Sequence, residues 1–252
     1  MKCESSRAWG RADDLLERIH AAPDATGDQY PYQAWNSSLA SLLPPWVDAD
    51  ALPSDAGSVE RLRRSVELGE AGFQSSIDGV GWDRIVVVDP IDDRWRGKDL
   101  SAIAAALGFA PFDTFLRLLR EGPDTSCIGH AMDPGDVRTI LSDPEIMVAS
   151  DASAIDPHGP GGGLPVHPRE YGTFPRALAL ARDEHLMPLS PLIRSMTSLP
   201  AERWIRDAAT FDEPHRFSDG LRLVVVNGTI AWAAGSDAIT RAGRALRRRD
   251  PA

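Results

Sequence analysis

The chain has 252 residues with hydrophobic and charged fractions of 42% and 25%, ordinary for a folded protein, so wholesale disorder is excluded. Thirty-seven acidic residues against 27 Lys and Arg give a net charge of −10, which argues against a nucleic-acid partner outside the short basic tail Arg244–Arg249. No apolar run reaches 18 residues and the first residues lack an apolar signal segment, so no membrane partner is expected; two distant cysteines, Cys3 and Cys127, fit a reducing, cytoplasmic setting.

Along the chain, Trp9–Ala22 reads as a helix through Leu15, Leu16 and Ile19, stopped by Pro23. Gln29–Tyr32 is extended, because a residue before proline is pushed out of the helical region. Ser38–Trp46 carries Leu39, Leu42 and Leu43 and stops at Pro44-Pro45, and Ser58–Gly69 reads as a charged helix capped by Ser58. The β-branched run Ile85–Val88 suits a strand buried on both faces. Helices follow at Asp99–Leu107 and Pro111–Arg120 around Gly108, then a weak strand at Thr125–Gly129 and a short helix at Pro134–Leu141 opened by Asp133. Ile146–Ser150 is a second buried strand ending in Asp151, and a Gly- and Pro-rich loop from Ala152 to Gly172 precedes helices at Phe174–His185 and Ser190–Thr197. Near the end, Leu221–Val226 and Thr229–Trp232 flank Asn227-Gly228, the pattern of a two-residue hairpin with a type I′ turn. The order predicts an α/β body with a β appendage.

The chemistry concentrates at Asp151. A carboxylate at the C-terminal end of a buried strand is where parallel α/β folds place catalysis, and it equally suits a turn residue. The six histidines form no H-x-H or HExxH pair, so no local zinc motif is visible; Gly161-Gly162-Gly163 lacks the Lys-Ser/Thr of a phosphate loop, and no Gly-x-Ser-x-Gly elbow occurs.

Three segments carry a resemblance: Val148-Ala149-Ser150-Asp151, His167-Pro168-Arg169-Glu170-Tyr171-Gly172-Thr173-Phe174-Pro175-Arg176, and Met196-Thr197-Ser198-Leu199-Pro200-Ala201-Glu202-Arg203. With Tyr30-Pro31-Tyr32, Leu42–Trp46, Gly81–Ile85, Asp136–Leu141 and Ala209–His215 in the same order, nearly the whole chain resembles the D-aminoacylases, the N-acyl-D-amino-acid deacylases of the amidohydrolase superfamily. The resemblance implies a zinc-bearing (β/α) barrel with a β-sandwich, and hydrolysis of the linear amide of a small-molecule N-acyl-D-amino acid. In it Asp151 matches the catalytic proton shuttle, Arg169 and Lys2 the cations and Tyr30 the hydroxyl that hold the substrate carboxylate, and Asn36 stands at the position of a family serine.

The same resemblance implies departures. The family's metal ligands, an H-x-H pair, a cysteine and two strand-end histidines, lie upstream of the position matched by Lys2, so zinc is expected in the family and not in this chain alone; Asp151, His130 and His167 are its only residual candidate ligands. After Glu202-Arg203-Trp204 the chain omits a strand segment that the family carries. A complete eight-stranded barrel takes ~250 residues by itself, and this chain offers three or four strands in its first 200. The expectation is therefore an α/β chain forming an incomplete barrel over residues 1–207, with an insertion at about 47–125, and a hairpin and basic tail over 208–252 left from a truncated β-sandwich. Inactivity in isolation is expected, with exposure of Trp9, Trp35, Trp46, Trp82 and Trp95 on faces the absent half would cover. The rival expectation is a non-catalytic subunit that completes the barrel with a separately encoded N-terminal chain.

Overall fold

The computed structural model describes residues 1–153, 155–156, 158–159, 166–204, 210–213, 220, 222–226, 229–236 and 239–242. Their contacts divide the chain into two compact units, Met1–Met196 and Thr197–Ala252.

The first unit opens with helix α1 (Ala12–Ala21), which buries Ala12 and Leu16 and carries Asp13 and Asp14 in its first turn and Arg18 and His20 in its last, matching the helix dipole at both ends. Its N-terminus has no local side-chain cap. The carboxylate of Asp136 supplies one from 124 residues away, accepting the backbone N–H groups of Gly10 (2.8 Å) and Ala12 (3.1 Å). Strands β1 (Gly27–Gln29) and β2 (Trp35–Ser38) follow, then helix α2 (Ala56–Leu68), whose N-cap is Asp55 rather than Ser58: the Asp55 carboxylate accepts the Ser58 N–H.

Strand β3 (Ile85–Val87), helices α3 (Leu100–Leu107) and α4 (Pro111–Glu121) and strand β4 (Ser126–Gly129) complete the middle of the chain. Asp99 caps α3, and Gly108 ends it in the left-handed conformation (φ 71°), where a Cβ would be strained. The two helices meet around Gly108 as expected. Strand β3 is not a doubly buried parallel strand. It lies at the edge of an antiparallel sheet ordered β2-β4-β3, with Val86 half-buried. A β-branched run reads alike in both settings; here the outer edge is covered by its own following loop, Val87 N–H donating to the Lys98 carbonyl and Gly97 N–H to that of Val87. Helices α2, α3 and α4 contribute Leu62, Leu100, Ile103, Phe112, Phe115 and Leu119 to one core with Trp35, Ile85, Val87 and Cys127 from the sheet. Trp35 and Trp95 are thus buried, not exposed; Trp9 and Trp82 pack partly against the same core, and Trp46 is the exposed one of the five.

Helix α5 (Pro134–Leu141), capped by Asp133, leads into strand β5 (Ile146–Val148), every residue of which is buried. Strand β5 pairs with β1 in parallel, Gly27 opposite Ile146 and Gln29 opposite Val148. Helices α6 (Arg169–Asp183) and α7 (Leu189–Met196) pack over this pair through Ala177, Leu180 and Leu192. Helix α6 starts five residues before Phe174, although Gly172 and Pro175 read as breakers; tertiary bonds described below hold its first turns. No closed barrel is present among the described residues, and no single described helix is long and apolar enough to cross a membrane.

In the second unit, helix α8 (Ser198–Trp204) falls where no helix was expected, and β6 (Leu223–Val226) pairs antiparallel with β7 (Thr229–Ala233), Val226 opposite Thr229. The hairpin is as expected; its Asn227-Gly228 turn, most of Gly159–Gly163, His215 and the basic tail lie outside the described residues.

Gly129 offers a direct test of the sheet. It sits opposite Trp35, and a Cβ there would come within 2.2 Å of the indole Cζ2. Gly129→Ala is therefore expected to lower stability by about 1–3 kcal/mol through forced displacement of the buried indole, read as a lower urea midpoint with an unchanged m-value.

Candidate active site

The parallel pair β1–β5 sends both chains out at the same end. Tyr30 follows β1 directly, and Asp151 stands three residues past Val148. Asp151 has a left-handed backbone (φ 49°), which turns the chain off the strand and leaves its side chain 56% exposed. The Asp151 Oδ2 lies 2.8 Å from Arg169 Nη1 and 3.8 Å from Lys2 Nζ. Lys2 Nζ stands 5.4 Å from the centroid of the Tyr30 ring and the Arg169 guanidinium carbon 5.1 Å from it. Four of the five residues that the resemblance assigns, Lys2, Tyr30, Asp151 and Arg169, thus converge. Asn36 sits in β2, its Oδ1 buried without a hydrogen-bond partner, and none of the described contacts joins it to the cluster.

The cluster sets two cations against two carboxylates, since besides Asp151 the Oε1 of the buried Glu170 side chain lies 3.9 Å from Arg169 Nε. Arg169 is only 7% exposed, and its Nε and Nη1 make no well-directed hydrogen bond; the short approach to Asp151 is an ion pair whose N–H directions miss the oxygen. The Tyr30 hydroxyl is also buried and unpartnered, and desolvation pushes its pKa up to about 12 against the opposing pull of Arg169. Buried donors without acceptors are costly unless a ligand supplies them. Two cations and a phenol so close together are donors that suit a carboxylate, and Asp151 supplies one here.

The HPRxYGTFPR segment is shaped to embrace the Tyr30-Pro31-Tyr32 segment. The Tyr32 hydroxyl donates to the Pro168 carbonyl (3.3 Å), and Gly172 leaves room for it, since a Cβ there would meet that oxygen at 2.4 Å. Arg176 Nε donates to the Pro31 carbonyl (2.6 Å), with its guanidinium 5.0 Å from the Tyr32 ring. Thr173 closes the first turn of α6 onto the Arg169 carbonyl (3.2 Å).

His167 is the residue that sequence reasoning misplaced. It is 1% exposed, edge-on to Tyr32 (5.3 Å between centroids) and tilted to Tyr30 (5.8 Å). Its Nδ1 accepts the Arg169 backbone N–H (3.0 Å), so its proton sits on Nε2, which donates to the Ala34 carbonyl (2.9 Å). With both nitrogens engaged it is not a metal ligand. A recessed, unexposed His ahead of Pro-Arg gives no sequence signal for this role. The zinc that the resemblance implies does not fit the donors present: Asp151 is engaged by two cations, His130 is exposed, and no three His, Cys, Asp or Glu side chains converge among the described residues.

With this geometry in place, comparison with known proteins is informative. No family model matches the chain. It is 32% identical to a D-aminoacylase of Alcaligenes xylosoxydans xylosoxydans over 217 residues, covering 74% of this chain and 43% of that protein. An N-acyl-D-glutamate deacylase of the same organism is 31% identical over an alignment of 277 positions, covering 98% of this chain and 47% of the relative. A solved D-aminoacylase structure described as defining a subset of amidohydrolases matches with TM-score 0.54 and 25% identity, and another, described by its binuclear metal centre, with 0.56 and 27%; each match covers 97% of this chain and 48% of the other. The mixed helix-and-strand body is thus of the amidohydrolase kind. Within that class, the chain is a relative of the D-aminoacylases and N-acyl-D-amino-acid deacylases, as its motifs indicated. It spans about half the length of the relatives it matches.

Burial between Tyr30 and Tyr32, with Arg169, His130 and Lys2 nearby, holds the His167 pKa down at about 4, desolvation being the main cause. The unfolded imidazole titrates near 6.5, so between the two values the unfolded state binds more protons. The stability contributed by the neutral ring is complete above about pH 6.5 and is lost as pH falls toward 4, about 3 kcal/mol in all. Urea unfolding between pH 7 and 4 is expected to show a steeper loss for the unmodified chain than for His167→Gln; equal slopes would remove this account.

Proposed function

We propose that this chain is the C-terminal, substrate-holding part of a hydrolase of the N-acyl-D-amino-acid deacylase type, cleaving the linear amide of a small N-acyl-D-amino acid. The observation that supports this reading is the convergence of Lys2, Tyr30 and Arg169 with Asp151, where the Tyr30 hydroxyl and Arg169 Nε and Nη1 are buried without a hydrogen bond. In it, Arg169, Lys2 and the Tyr30 hydroxyl grip the substrate α-carboxylate; a planar guanidinium suits bidentate contact with it. Asn36 is carried as a further contact on resemblance alone. Asp151 takes a proton from the attacking water and returns it to the leaving nitrogen.

On this reading residues 1–207 are part of an incomplete (β/α) barrel interrupted by the insertion at about 47–125, and residues 208–252 are a remnant of the β-sandwich. The zinc of the family is not held by this chain's described residues, so no step of its chemistry is assigned to them. The isolated chain is then inactive, and its partner, besides the small-molecule substrate, is a complementary N-terminal chain that completes the barrel.

The test is complementation. Co-purified with the N-terminal half of a D-aminoacylase, the chain is expected to release free D-amino acid from an N-acetyl-D-amino acid, while alone it releases none and retains no stoichiometric zinc after dialysis against a mild chelator. In the complex, Asp151→Asn is expected to lower kcat by ~10²–10⁴-fold, since an amide cannot accept the proton, and Arg169→Ala to raise KM. A soluble complex in which Asp151→Asn turns over like the unmodified chain would refute the proton-shuttle role.

A further inference from the structure

We propose that His167 is a positioning residue for the carboxylate grip: a neutral imidazole that fixes Arg169 at the start of α6 through one nitrogen and locks that turn to the strand-β2 approach through the other. The inference rests on the carboxylate-binding reading above and adds the device that aims it.

Arg169 begins α6, and Pro168, its N-cap, offers no side-chain cap. The first N–H groups of a helix lack intrahelical acceptors and must find others. The Arg169 N–H finds the Nδ1 of His167, two residues earlier, at 3.0 Å. That bond needs an unprotonated Nδ1, and the Ala34 carbonyl at 2.9 Å from Nε2 enforces this tautomer by demanding a donor there. Ala34 directly precedes β2, so the ring bridges the antiparallel sheet to the helix that bears Arg169. Tyr30 and Tyr32 wall the imidazole on two sides, and Tyr32 grips Pro168 as well. Every polar atom of the ring is engaged, so His167 is the one side chain that bonds the Arg169 backbone N–H directly, while Tyr32 and Arg176 hold the neighbouring turn, and the guanidinium stands beside Asp151 and Tyr30 from that anchored start. Binding groups held by such locked supports are the ones that bind with defined geometry.

The two nitrogens can be separated by substitution. The Oδ1 of an asparagine takes the place of Nδ1 and can accept the Arg169 N–H; the terminal amide of a glutamine takes the place of Nε2 and can donate only toward Ala34. His167→Phe keeps the ring volume and loses both bonds. Binding of N-acetyl-D-alanine to the full chain is read by isothermal titration, with thermal unfolding of each variant alongside. Arg169→Ala and His167→Phe are each expected to weaken binding at least about tenfold, the size of a lost charge-assisted bond. His167→Asn is expected to stay within about threefold of the unmodified chain and His167→Gln to fall toward the Phe value, although their melting temperatures are alike; a purely structural role would not separate them. ¹⁵N spectra of the unmodified chain at pH 7 are expected to show His167 neutral and protonated on Nε2.

An Nδ1-protonated ring, or equal binding by folded Asn and Gln variants, overturns the assignment. If Arg169→Ala loses the probe while a folded His167→Phe keeps it, the His167 role alone falls. If Arg169→Ala binds as the unmodified chain does, or neither binds, the carboxylate reading falls and this inference with it. Should His167→Phe fail to fold, the Asn and Gln pair decides.

Discussion

Everything at the candidate site depends on two three-residue strands running the same way. The pairing of β1 with β5 puts Gln29 beside Val148, and beyond that point both chains leave the sheet at one end. A slip of one residue would turn Val148 off the core it shares with Tyr30 and Leu180 and move Tyr30 out of line with Asp151. The register is held by burial: all three β5 residues are covered, and α5, α6 and α7 close over the pair. Gln29 fixes only the local exit from β1, its buried amide donating to the carbonyl of the next residue, Tyr30 (2.9 Å).

Charge at this end is paired by proximity more than by directed hydrogen bonds. Two carboxylates face two cations: Asp151, exposed, lies near both, and the buried Glu170 side chain stands 3.9 Å from Arg169, itself almost fully withdrawn from water. Withdrawing a guanidinium costs several kcal/mol unless it is well paired, and neither ion pair of Arg169, to Asp151 or to Glu170, brings a well-directed hydrogen bond from Nε or Nη1. The aromatic faces of Tyr30 beside both cations offset part of it. What is left is a shortage of hydrogen-bond acceptors at Arg169 Nε and Nη1.

Much of this was legible in the residues. The helix caps Asp99, Asp133 and Gly108, the buried strand Ile146–Val148 and the hairpin before the tail follow from local chemistry, because each signal there is short-range. Asp151 stood out as a strand-end carboxylate, whereas Lys2, Tyr30 and Arg169 were identified through resemblance, and no spacing rule could have joined positions so far apart in the chain. What escaped reading was decided by tertiary contact. Trp35–Ser38 is polar for most of its length and becomes a strand because β4 lies alongside. The early turns of α6 survive a glycine and a proline because Tyr32 and Arg176 tie them to the Tyr30–Tyr32 segment. Trp35 looked like surface for a missing half and is instead core, folded over Gly129.

The left-handed backbone at Asp151 narrows what the position can be before any chemistry is considered. At φ 49° a branched or bulky side chain is strained, whereas Asp, Asn and Gly adopt the conformation with little penalty. Asparagine there would remove the charge and leave the turn intact, whereas valine would strain the backbone and swing the strand's exit as well, so only the first of the two separates the carboxylate from the path of the chain.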